Sequence, residues 1–192
     1  MAKGPNYRVF YRRRRKGKTD YRKRLKLVLS GKPRIVIRHT TKNTIVEIVE
    51  TAQTGDRVCA YAHSKQLEKL GWKFSGKNLP SAYLTGYLCA KRALKKGVKE
   101  AVLDYGLFKV TKGSRIFSAL KGAIDAGVFI PHDEKMLPNN ERVRGEHIKK
   151  YFESLPKEKA EKLFSGYIEN GIETVKIVDH FEKTKKRIDE II

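Results

Sequence analysis

Residues 34–63 read RIVIRHTTKNTIVEIVETAQTGDRVCAYAH, and their patterning decides the fold. Three segments rich in β-branched residues, 34–39 (RIVIRH), 44–50 (TIVEIVE) and 57–63 (RVCAYAH), are separated by TTKN at 40–43 and by Gln53-Thr54-Gly55-Asp56. Short apolar runs divided by turn residues predict an antiparallel meander. Alternation in the third segment places Val58, Ala60 and Ala62 on one face, with Cys59, Tyr61 and His63 on the other.

Downstream, helix and strand signals alternate. Asn78-Leu79-Pro80 opens a helix, because proline suits a first turn; it runs to Lys96 with Leu84, Tyr87, Leu88 and Leu94 as its stripe, and Gly97 stops it. EAVLDY at 100–105 reads as a short buried strand. Ser114 caps a second helix through Ala126, with Ile116, Phe117, Leu120, Ala123 and Ile124 inward, and 128–130 reads as a brief strand. That order predicts an α/β domain over 34–130, a mixed sheet with packed helices. Residues 131–145 carry Pro131 and Pro138 without periodicity and are expected to form an exposed loop or a second contact surface. Residues 146–192 carry short helical stripes at Ile148 and Phe152, at Leu163, Phe164 and Tyr167, and at Val175, Val178, Phe181 and Ile188, which predict a helical appendage on the domain.

Upstream, residues 1–33 form a basic arm and a short helix. The chain has 192 residues, 43 Lys+Arg against 21 Asp+Glu and a net charge of +22. Residues 1–42 hold 16 of those cations against the single acid Asp20, and residues 146–192 are neutral with 10 of each sign. A charge shell for solubility would be even; a basic arm that displaces counterions from a phosphate backbone is one-sided. Tyr7, Phe10, Tyr11 and Tyr21 are interleaved with the arginines and lysines, and planar rings among guanidinium groups can stack on unpaired bases. A helix is expected from Thr19 as cap, with Asp20 at its positive end and Tyr21, Leu25 and Val28 or Leu29 as its docking stripe.

Other classes of function find no support. A chain 40% hydrophobic can close its own core without disulfides, and the two cysteines, Cys59 and Cys89, cannot build a framework or a four-cysteine zinc site. Cys59 and His63 are spaced as ligands could be, yet no second pair completes four, so neither metal nor cofactor is expected. No stretch approaches the ~18 apolar residues of a membrane span and residues 1–15 have no apolar h-region, so the reading is intracellular, with no membrane partner. No phosphate-cradling GxxxxGK[ST], GxGxxG or HExxH motif occurs, and no enzyme is expected.

Five stretches, RRRRKGKTDYRKRL (12–25), AYAHSKQLEKLGWK (60–73), NLPSAYLTGYLCAKRAL (78–94), VLDYGLFKVTKGSRIFSALKGAIDAGVFIPH (102–132) and FSGYIENG (164–171), carry a resemblance that covers most of the chain. The sequence resembles the large-subunit ribosomal proteins that bind 5S ribosomal RNA, protein eighteen of bacteria and protein five of eukaryotes. IPH followed by a long segment and a helical tail resembles the archaeal and eukaryotic branch, and the absence of eukaryotic insertions points to the archaeal type. The resemblance implies a ribonuclease-H-like strand topology, 5S rRNA and large-subunit rRNA as partners, neighbouring proteins of the central protuberance, and a place in the cytoplasmic large subunit. The rivals are a nuclease on the same scaffold and a generic RNA chaperone. Metal-dependent cleavage needs converging carboxylates, whereas RIVIRH has none and Glu47 and Glu50 fall on opposite faces.

On this reading Arg8, Tyr11, Arg12, Arg13, Arg14, Arg15, Lys16 and Lys18 run along RNA, with Tyr21, Arg22 and Arg24 where the arm joins the domain. Arg38, Lys42 and Asn43 meet RNA around the first hairpin. Lys109, Lys112 and Arg115 do so from the segment after the fourth strand, where Ser114 aims a helix N-terminus outward.

Overall fold

The computed structural model describes residues 4–192, so the first three positions of the expected 1–33 arm lie outside the described residues. β1 (Arg34–His39), β2 (Thr44–Ala52) and β3 (Gly55–His63) form the meander, and β4 (Val102–Asp104) adds to the far side of β1. The order is β3-β2-β1-β4, with β1 antiparallel to β2 and parallel to β4, a mixed sheet. The expected strand at 100–105 is only three residues long, and 128–130 supplies a single parallel bridge, Phe129 to Glu100, in place of a strand. The β4 edge is half-buried, not the buried strand expected, and Val128 and Ile130, each 1% exposed, join the core without pairing to it.

One face of the sheet is apolar. Ile35 and Ile37 of β1, Val46 and Ile48 of β2, and Ala60 and Ala62 of β3 pack together in the core. Beneath them lie α4 (Leu79–Lys95), capped by the Asn78 side chain accepting from the Ser81 N–H at 2.8 Å, and α5 (Arg115–Asp125). The two helices approach until only hydrogen fits between them: a Cβ on Gly86 would lie 1.9 Å from the Ala119 carbonyl oxygen, and one on Gly122 2.1 Å from that of Tyr83.

Strict alternation fails in β3. Ala60 pairs with Ile48 but Val58 pairs with Val49, so Cys59 is an extra, bulged residue. The bulge turns Val58 onto the face opposite Ala60 and Ala62, where it is 50% exposed, contrary to its expected place beside them. The outer edge of β3 is not open. Arg92 of α4 donates to the Tyr61 carbonyl oxygen at 2.6 Å and Lys96 donates to that of Cys59.

Residues 131–145 are not a bare loop. They hold a 3-10 turn (Glu134–Met136) and α6 (Asn140–Arg144), with Val143 buried. The tail continues through α7 (Glu146–Ser154), α8 (Lys157–Leu163), α9 (Ser165–Ile168) and α10 (Ile177–Ile191). The buried stripe of α10 is Ile177, Phe181, Thr184 and Ile188, not one that begins at Val175, which is 38% exposed. This stripe lies on α4: Phe181 meets Tyr83 at 5.4 Å, and Asp189 accepts from the Tyr87 hydroxyl at 2.7 Å and from Lys91 at 2.8 Å. Aromatic packing from Trp72 through Phe74 to Tyr167, whose hydroxyl accepts from the Ser75 N–H at 3.1 Å, ties α9 to the domain. No helix among the described residues is long and apolar enough to cross a membrane.

Candidate nucleic-acid interface

The sheet face opposite α4 and α5 is left to the N-terminal arm. Residues 4–18 are exposed throughout, and within them α1 (Arg12–Arg15) is a single turn of four arginines. Adjacent guanidinium groups repel, so such a turn holds only by outside contacts. Arg14 lies over the Phe10 ring at 4.0 Å, Tyr11 meets Tyr21 at 5.0 Å, and Arg13 Nε donates to Thr19 Oγ1 at 2.8 Å. Thr19 is thereby engaged, and the cap of α2 (Tyr21–Leu29) is Asp20, which accepts from the Arg22 and Lys23 N–H groups.

The helix α2 does not dock as its apolar pattern suggests. Leu25 is 59% and Leu29 76% exposed, while Tyr21, Arg24, Leu27 and Val28 turn inward. The reason is Arg24, whose two terminal nitrogens meet the two oxygens of Asp56 at 2.8 Å each. That pair, together with the inward Leu27 and Val28, sets the face that docks and leaves Leu25 and Leu29 outside. Asp56 also accepts from Arg34 at 2.7 Å, and Arg34, 2% exposed on β1, reaches Asp104 on β4 at 2.7 Å with its other arm. The Arg24 hydrogen bond first, and then that of Arg34, hold the Asp56 carboxyl below its ordinary range. Arg24–Asp56–Arg34–Asp104 is therefore one chain of charge running from α2 across the sheet. It engages Asp56 and Asp104 with arginines, and no group of three or more His, Cys, Asp or Glu side chains among the described residues is placed to hold a metal ion.

A cavity of about 490 Å³ lies between arm and sheet. Arg13, Lys18, Tyr21 and Lys23 of the arm line one side, and Arg34, Val36 and Arg38 of β1 with Glu47 and Val49 of β2 line the other. Arg38 is exposed there, and Lys23 also sits 5.0 Å over the Tyr105 ring. The buried Arg34 Nε has no hydrogen-bond partner.

A second basic patch gathers at the carboxyl end of β1. Lys42 is exposed on the first hairpin, whose turn is closed by the Thr40 N–H donating to the Asn43 carbonyl at 2.8 Å. Asn43 Oδ1 accepts from Ser64 Oγ at 3.1 Å, so Asn43 braces the turn. Arg115 is half-buried and donates to the Thr40 carbonyl at 3.2 Å, pinning the hairpin to α5. Lys109 and Lys112 stand exposed in the segment after β4, held near the hairpin by Phe108, which stacks on His39 at 4.2 Å. Burial, and next the nearby Arg115 charge, push the His39 pKa down, so the stacked ring is neutral near pH 7. Ser114 takes the N-cap position, but its hydroxyl is buried without a partner and does not cap.

Of the expected contact residues, Arg8, Tyr11, Arg12, Arg13, Arg14, Arg15, Lys16, Lys18 and Arg22 are exposed on the arm or the start of α2, and Tyr21 is half-buried beneath them. Arg24 faces the protein, and Arg115 and Asn43 brace the hairpin. Sequence reasoning overlooked Arg34 and Phe108. An arginine heading the apolar run Ile35-Val36-Ile37 is the one sign that marked Arg34 beforehand.

A basic, aromatic arm strapped over an otherwise uncovered sheet face, with paired carboxylates beneath it, defines a nucleic-acid-binding structural protein. Comparison with known proteins says of which kind. The family described as "Ribosomal large subunit proteins 60S L5, and 50S L18" matches residues 5–100 and 96–133, and the chain belongs to it. The chain is similar to the "Large ribosomal subunit protein uL18" of Methanothermobacter thermautotrophicus, 54% identical over 190 residues and 99% of each chain. It is similar also to the proteins of the same name from Aeropyrum pernix, 53% identical over 99% of this chain and 91% of that one, and Korarchaeum cryptofilum, 52% identical over 98% and 97%. These full-length matches to archaeal proteins identify a large-subunit ribosomal protein of archaeal type, a structural component and not an enzyme.

Proposed function

We propose that the protein binds 5S rRNA and helps to attach it to the large subunit in the central protuberance, as a cytoplasmic ribosome component. The observation that carries this reading is the division of the sheet. One face is filled by α4 and α5, whereas the other is covered by an arm whose cations, Arg24 and Lys32 apart, have no acidic partners among the described residues. Arg8, Arg12 to Lys16 and Lys18 follow phosphates. Arg38, Lys42, Lys109 and Lys112 form the fixed part of the surface, and Tyr11, braced by Tyr21, offers a ring to an unpaired base. Arg24, Arg115 and Asn43 hold the arm and hairpin in place and meet RNA, if at all, with their remaining donors. The neutral helical tail and residues 131–145 face neighbouring large-subunit proteins or large-subunit rRNA.

The test is competition binding with the full chain. A labelled 5S rRNA transcript should be displaced by unlabelled 5S rRNA at far lower concentration than by duplex DNA of equal length, and the protein should stay on large-subunit particles washed in high salt. Equal competition by DNA, or release in the wash, would refute the reading and favour a generic RNA chaperone.

A further inference from the structure

The cavity beneath the arm contains a carboxylate that the protein itself does not neutralise. Four acids line it. Asp20 caps α2, Asp56 is taken by Arg24 and Arg34, and Asp104 accepts from Arg34 and from the Gly106 N–H at 3.0 Å. Glu47, opposite Val36 in the β1–β2 register, has no ion-pair partner among the described residues. On a surface that meets a polyanion, a carboxylate with no ion-pair partner repels an approaching phosphate, and a hydrogen-bond donor arriving with the RNA turns it into a contact.

The rest of the cavity has the parts of a nucleotide site. Val36 and Val49, 5% exposed each, and the half-exposed Val58 make an apolar floor, and Val58 is there only because the Cys59 bulge turns it. Arg38 and Lys18 line it without acidic partners among the described residues. The volume of about 490 Å³ lies within the range of sites that enclose small molecules.

We propose that this cavity takes one unstacked guanosine of the bound RNA, with its base on the valine floor, its N1–H and N2 amino group donating to Glu47, and its phosphate against Arg38 and Lys18. A carboxylate is an acceptor only. Guanine alone among the four bases offers two adjacent donors on its Watson–Crick edge to match two carboxylate oxygens. Adenine and cytosine offer only an amino group beside an acceptor nitrogen, and uracil sets its N–H between two carbonyls. The proposal rests on the reading that this face binds RNA.

The variant Glu47→Gln keeps the shape and removes the charge, and the alternatives predict opposite signs. If Glu47 is merely a solvated acid on the RNA face, losing it tightens binding to any RNA. If it accepts from guanine, the new amide sets a donor against donors, and affinity of the full chain for a 5S rRNA transcript falls about 5- to 100-fold. A second measurement needs no variant. With wild-type protein, transcripts carrying inosine at scattered guanosines, which lack the N2 amino group, should lose binding at one unpaired position, and that interference should vanish with Glu47→Gln. Unchanged or tighter binding by Glu47→Gln, or no inosine interference at any unpaired guanosine, overturns the proposal. Failure of wild-type protein to bind 5S rRNA at all would instead overturn the RNA-face reading beneath it.

Discussion

Removing residues 1–18 tests how much of the grip belongs to the arm. The cut falls just before Thr19, because α2 is fixed independently by its Asp20 cap and by the Arg24–Asp56 pair, so the truncated chain keeps its folded body. It removes Arg8, Arg12, Arg13, Arg14, Arg15, Lys16 and Lys18 from the described arm, seven cations with no acid among them. Each cation seated on a phosphate adds roughly 0.7 to 0.9 to the slope of log affinity against log salt. Full engagement of the seven therefore contributes a slope of about 5 to 6, which alone makes binding about a thousandfold weaker between 50 and 200 mM salt. Filter binding of a 5S rRNA transcript across a potassium chloride series should show the slope falling by about 5 on truncation, with the thermal melt of the protein unchanged. A slope that stays within one unit of the full chain would refute the assignment of the arm to phosphate, whatever happens to the absolute affinity.

Replacing Asp56 by Asn leaves the nearly buried Arg34 with only Asp104, at a cost of about 3 kcal/mol by urea denaturation, and amides of α2 should lose protection from hydrogen exchange first. Because Arg24 and then Arg34 hold the Asp56 carboxyl below its ordinary range, its contribution is complete above about pH 4 and fades as pH falls further, so Asp56→Asn should flatten the acid limb of stability. Gly86→Ala drives a Cβ into the Ala119 carbonyl, and overpacking of about 3 kcal/mol should exceed the helix-propensity gain of about 1. Gly166→Ala, with nothing within 4 Å, should show no such loss in the same denaturation series. Burial pushes the Cys89 thiol up to about 12, so a thiol reagent at pH 8 should label the half-buried Cys59 but leave Cys89 untouched until guanidinium unfolds the chain.

The meander was legible because alternating β-branched runs and turn residues are local signals, and the caps of α4 likewise, since Asn78 and Pro80 act on their own turn. What escaped was set at a distance. The face that α2 turns inward depends on Asp56, which is 32 positions from Arg24 and carries no mark of the pairing. The side on which Val58 lies depends on one extra residue in β3, and a bulge leaves a two-residue period looking intact on either side of it. The strand at 100–105 shortens to Val102–Asp104, which pair with Arg34 to Val36 at the start of β1, so that residues 100–101 lie before the first residue of β1 in that register. At the candidate site, residue type marked the arm well, since cations without acids must face outward. The same reasoning could not separate Arg22, which is exposed, from Arg24, which is tied down two positions later.

The side chains of Arg92 and Lys96, lying across the outer edge of β3, bear on the life of the protein before it meets RNA. The carbonyl oxygens of Cys59 and Tyr61, already accepting from the chain's own cations, are obstructed acceptors for a strand of another copy, and two such edges carry like charges toward each other. Edge-to-edge pairing between copies that have not yet met their polyanion is disfavoured by such an edge. The end of α4 thus guards the open side of the sheet.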